Sequence, residues 1–122
     1  MNTKNSITFA QIIADKNIMS ELGIPFRPVH PGELLKDEIE YRHLSQKEVA
    51  KQLGLPYTAF NEILNGKRPV TTDFAMYMEA ALGVDSGLLL RMQLDYNMQV
   101  AQKDKKLNKR LAEIRKIAAM FM

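Results

Sequence analysis

Within SQKEVAKQLGLPYTAFNEILNGKRP, residues 45–69, four hydrogen-bonding side chains recur three and four positions apart: Thr58, Asn61, Glu62 and Asn65. At about 100° per residue they share an arc of roughly 100° on a helix, opposite Phe60 and Ile63, with Tyr57 at the arc's edge. The chemistry such an arc offers is recognition of nucleic-acid bases. An asparagine amide pairs bidentately with adenine, a glutamate accepts from N4 of cytosine, and a threonine contributes a hydroxyl or a methyl group. Gln46 and Lys47 precede the arc, and Lys67 and Arg68 follow it. Those residue types suit phosphate oxygens, contacts that fix register without carrying sequence information. The reading therefore assigns Tyr57, Thr58, Asn61 and Glu62 to base edges, and Gln46, Lys47, Asn65, Lys67 and Arg68 to the backbone.

Positioning that arc requires a framework on either side. Ser45 with Glu48 three residues on predicts a capping box, the hydroxyl taking one free amide and the carboxylate returning to another. Val49, Ala50 and Leu53 give the helix that follows an apolar side. Gly54 is placed to stop it in the left-handed region, Pro56 to take the first position of the next helix, and Asn65-Gly66 to end that one. Two short helices about a tight glycine turn, the second with an exposed polar face, form a helix-turn-helix, whose second helix enters the major groove of DNA.

The flanking sequence reads as further helices. His30-Pro31-Gly32-Glu33 opens one that carries Leu34, Leu35 and Ile39 inward. Thr71 or Thr72 caps another, with Phe74, Met78 and Leu82 on its inner side and Gly83 as its stop. From about Ser86 the leucines are too many for one stripe, so that segment is either buried on most sides or covers a second surface. Val100, Leu107, Ile114 and Phe121 recur every seven residues, which predicts a heptad seam; Asp104 interrupts it, leaving an amphipathic helix packed on its own domain as the alternative. At the other end, Phe9, Ile12, Ile13 and Met19 predict a short helix stopped by Gly23, and Ile24–Pro28 an extended linker. The expected division is residues 1–29, 30–96 and 97–122, all of it α-helical.

Composition bounds the rest. At 122 residues and 46% apolar, the chain has material for one small core. It has no cysteine, hence no disulfide or thiolate chemistry, and no leader or long apolar run, so a soluble, cytoplasmic protein without membrane contact is expected. The net charge is +3, and residues 103–122 hold seven basic against two acidic side chains. His30 and His43 stand in no HExxH arrangement, and no phosphate loop or nucleophile elbow is present. Glu33 with Asp37 is one carboxylate pair without further ligands. No catalytic role, cofactor or metal is expected; His30 reads as a cap or turn residue and His43 as an exposed helix-end residue.

Residues 30–96 resemble the helix-turn-helix domain of HigA-type antitoxins, within the XRE or lambda-repressor-like group. HPGELLKDEI, LSQKEVAKQLGLPYTAFNEILNGKRPVT and FAMYMEAALGVDSGLLLRMQLDY carry the resemblance, the HPGE opening and NGKRPVT exit being its more specific parts. It implies a lambda-repressor-like fold of about five helices, here with an extra N-terminal helix and a C-terminal helical extension. It further implies a bacterial or phage repressor that binds its own operator and neutralises an mRNA-cleaving HigB-type toxin. A stand-alone phage-type repressor, or a toxin-binding module without DNA binding, are the alternatives. One helix-turn-helix buries little DNA, so a homodimer on a symmetric site is also expected.

Overall fold

The computed structural model describes residues 27–122, which form six α-helices and a closing 3-10 turn. The helix expected around Phe9–Met19 lies outside the described residues.

The first helix, α1 (Pro31–Tyr41), begins as its sequence dictates: the His30 Nδ1 accepts from the Gly32 amide at 2.9 Å, and Pro31, lacking an amide, sits in the first turn. Leu34, Leu35 and Ile39 are buried. The chain leaves α1 through His43, exposed and in the left-handed region at φ 57°. Helix α2 (Gln46–Gln52) is capped by Ser45, whose Oγ accepts from the Glu48 amide at 3.3 Å. The reciprocal half of the expected capping box is absent. Glu48 instead accepts from Gln52 Nε2 at 2.9 Å, because a partner one turn ahead on an exposed helix face competes with the Ser45 amide.

Gly54, at φ 68°, turns the chain into α3 (Tyr57–Leu64). Pro56 occupies the cap rather than the first helical position, one residue earlier than expected. Helix α4 (Thr72–Leu82) is capped by Thr71, whose Oγ1 accepts from the Phe74 amide, and stops at Gly83 with φ 72°. Asp85 caps α5 (Ser86–Gln102) through the amides of Gly87 and Leu88.

The core lies where these five helices converge. Leu34, Leu35, Ala50, Phe60, Leu64, Phe74, Met78 and Leu89 are among its buried side chains, and the Phe60 and Phe74 rings meet with centroids 5.9 Å apart. Val29 is also buried in it. Fully burying a side chain of Phe60's size stabilises a fold by about 1.5–3 kcal/mol. Gln93 reaches the same interior: its Oε1 accepts from the Val70 amide at 2.8 Å and its Nε2 donates to Asn97 at 2.9 Å. A buried amide satisfied on both sides ties the segment after α3 to α5.

The heptad seam does not form as one continuous helix. Helix α5 ends at Gln102, and Asp104 caps a separate α6 (Lys105–Ala118) by accepting from the amides of Lys106 and Leu107 at 3.0 and 3.1 Å. An aspartate at this position captures free amides more strongly than it tolerates a helix interior. Asn108 Nδ2 then donates to the Gln102 carbonyl at 2.8 Å and fixes the corner. Helix α6 buries no residue on its own domain, and among its side chains only Leu111 is half-buried. The division expected between residues 96 and 97 falls inside α5.

Candidate nucleic-acid interface

Helix α3 is held by Phe60 and Leu64, both buried, and by the half-buried Ile63. Its opposite side carries the polar arc. Tyr57, Thr58 and Asn65 are exposed, whereas Asn61 and Glu62 are half-buried. These side chains are held in specific orientations. Asn61 Nδ2 donates to Gln46 Oε1 at 3.1 Å, across the turn from α2. Asn65 Nδ2 donates to Asn61 Oδ1 at 3.1 Å and to the Asn61 carbonyl at 2.9 Å, and its own Oδ1 accepts from Lys36 Nζ at 3.3 Å. The amide of Asn61 thus has one hydrogen and one lone-pair direction engaged, leaving one of each for an outside partner. Gln46 and Asn65, read from sequence as backbone contacts, stand directly against the residue expected to read a base.

Two of the charged groups pair with each other. Arg68 Nε lies 2.7 Å from Glu62 Oε2, a charge-assisted bond that neutralises the one carboxylate on this face. Lys47 Nζ stands 5.5 Å from the Tyr57 ring centroid, within cation–π range. Lys67 is exposed and forms no ion pair among the described residues, while its backbone amide donates to the Glu62 carbonyl at 2.8 Å. The face therefore combines a fixed asparagine, an exposed hydroxyl on Thr58 and cations at both ends of the motif. Such a set can hydrogen-bond base edges while meeting phosphates on either side. Among the described residues, no group of His, Asp and Glu converges as a metal site would require, and no helix is long and apolar enough to cross a membrane.

A helix-turn-helix family model matches residues 35–89. The chain is 35% identical over 78 residues to virulence-associated protein I of Dichelobacter nodosus, covering 63% of this chain and 72% of that protein. It is 33% identical to a solved addiction module antidote protein of the HigA family from Coxiella burnetii, covering 71% of this chain and 94% of that one, with a TM-score of 0.61. The chain belongs to the HigA family. A second solved HigA-family relative, the Pseudomonas aeruginosa antitoxin HigA with the higBA promoter, is 26% identical, covering 62% of this chain and 83% of that one, with a TM-score of 0.58.

Two residues of this HigA-family chain escaped the sequence reading of the face. Lys36 belongs to α1 and reaches Asn65 only because α1 and α3 cross closely; no spacing rule links positions 29 apart. His30 caps α1, as a cap or turn residue would, and it does more. Its ring packs edge-on against Tyr96 of α5, with centroids 5.0 Å apart, and lies beside the Arg68 backbone, so one buried imidazole joins the start of α1, the exit of α3 and α5. Burial lowers its pKa below the ordinary value of about 6.5, opposed by the Arg68 backbone and the Glu33 carboxylate. Below about pH 6.5 the unfolded chain takes up a proton that folded His30 resists, because its Nδ1 is accepting from Gly32. Stability is then complete above about pH 6.5 and is lost as pH falls through the lowered folded value. Denaturant melts at pH 7.5 and 5.5 measure this loss, and His30→Asn, which keeps a capping oxygen, should show less of it.

Proposed function

We propose that this chain is a cytoplasmic bacterial repressor that binds the operator of its own operon as a homodimer and neutralises a HigB-type ribonuclease toxin. The observation that carries the DNA-reading role is the clamped Asn61, held by Gln46 on one side and Asn65 on the other on the open face of α3. Preorientation of this kind spares the interface the entropy of ordering a side chain on binding. In this reading residues 30–96 supply the DNA-binding unit. Thr58 and Asn61 meet base edges, with Tyr57 and Glu62 beside them, and Lys47 and Lys67 meet phosphates. Gln46 and Asn65 approach the backbone while holding Asn61, and Arg68 neutralises Glu62 next to it. The toxin partner is supported by membership of the HigA family, and the promoter-bound Pseudomonas relative supports the operator.

A gel shift with the gene's own upstream DNA tests the operator, and sedimentation of the same protein tests the dimer. A discrete complex at nanomolar protein, with a dimer at micromolar concentration, is expected. Shifts of the same strength on scrambled DNA, or monomer alone with and without operator, would overturn the reading. Growth arrest by the adjacent reading frame, relieved by co-expression of this chain, tests the toxin assignment separately.

A further inference from the structure

Helix α6 is fourteen residues long and buries none of them. Leu107, Leu111, Ile114 and Ala118 nevertheless recur at spacings of three and four along one side, and Leu107 and Ile114 are exposed. A helix of this length is marginal in water unless its apolar side is covered. Helix α5 has a similar surplus. Its inner side carries Leu89 and Met92 into the core, with Leu90 packed against it, while Leu94 and Met98, four residues apart, are 60% and 53% exposed. The corner at Lys103–Asp104 is fixed by the Asp104 cap and the Asn108 bond, and within one chain both Leu94 and Met98 of α5 and Leu107 and Ile114 of α6 stay exposed.

We propose that α6 of one chain covers the outer stripe of α5 in a second copy, reciprocally, so that two equal contacts related by a twofold axis hold the dimer. The proposal rests on the homodimer reading above. Charge selects the arrangement. Helix α6 carries Lys105, Lys106, Lys109, Arg110, Arg115 and Lys116 against Glu113 alone. Helix α5 carries one basic and one acidic side chain, Arg91 and Asp95, and is neutral. Pairing α6 with α6 would oppose two strongly cationic helices, and pairing α5 with α5 would leave both α6 stripes in water. The crossed contact covers both stripes and keeps the two cationic helices from facing each other.

Mixing two full-length variants tests it. L107D/I114D breaks the α6 stripe and L94D/M98D the α5 stripe, and neither touches the DNA-reading face. Each alone should sediment as monomer at concentrations where the parent protein is dimeric. An equimolar mixture should regain dimer, more weakly than the parent, because the mixed pair retains one intact contact: α6 from the second variant on α5 from the first. If either aspartate pair lowers the melting temperature, the corresponding alanine pairs, L107A/I114A and L94A/M98A, are mixed instead. A mixture that stays monomeric, or a variant that remains dimeric alone, overturns the crossed contact while the homodimer stands. A monomeric parent protein overturns the homodimer reading itself.

Discussion

Gly32→Ala should destabilise the fold by about 1–3 kcal/mol or more, the range of an overpacked core. A methyl group built on Gly32 would collide with the Ile63 carbonyl oxygen and lie 3.0 Å from both the Leu64 carbonyl oxygen and the His30 Nδ1. The two carbonyls are backbone, so no rotamer change relieves them. Either α3 moves away from α1 or the methyl is not accommodated. The fold of such a domain is worth only about 5–15 kcal/mol in total, so the loss should lower the melting temperature by several degrees per kcal/mol. Gly54→Ala is the control. Nothing lies within 4 Å of a methyl there, and the cost is confined to the strain of φ 68°, about 1 kcal/mol. Equal melting temperatures for Gly32→Ala and the parent protein would mean that α1 and α3 do not approach as described.

The second large effect concerns DNA rather than folding. Asn61→Ala and Thr58→Ala should each weaken the operator complex by about 1–3 kcal/mol and leave binding to scrambled duplex nearly unchanged. Lys67→Ala should weaken both and reduce the slope of log affinity against log salt by about one unit, as loss of one phosphate contact does. Because Asn61 also bonds Gln46 inside the protein, melting curves must accompany the titrations, so that lost stability is not mistaken for lost recognition. An unchanged ratio of operator to scrambled affinity in folded Asn61→Ala would remove α3 as the reading helix.

Local rules made much of the fold legible. His30, Pro31, Ser45 and the pair Thr71 or Thr72, of which Thr71 is the cap, mark helix starts because capping is decided within four residues, and Gly54, Gly66 and Gly83 mark stops because each takes a positive φ. What escaped was set by competition or distance. Glu48 had two acceptable donors, and spacing cannot say which wins. Asp104 was visible as an interruption, yet its power to divide one helix into two depended on the corner that Asn108 completes. On the candidate interface, the residue types and their shared face could be read from periodicity. The partners could not: Lys36 with Asn65 and Glu62 with Arg68 arise from how helices and loops cross, which no count along the chain encodes.

The buried Gln93 has a consequence for the DNA rather than for the protein. Its bond to the Val70 amide fastens the exit of α3 to α5, the helix proposed to bear the dimer contact. A reading head fastened in this way cannot swivel freely to find its second half-site. The operator must then bring both half-sites to one face of the double helix, close to a whole number of turns apart at about 10–10.5 base pairs each. A single inserted base pair turns the second half-site away by about 35°, and the shortfall must be met by twisting the DNA.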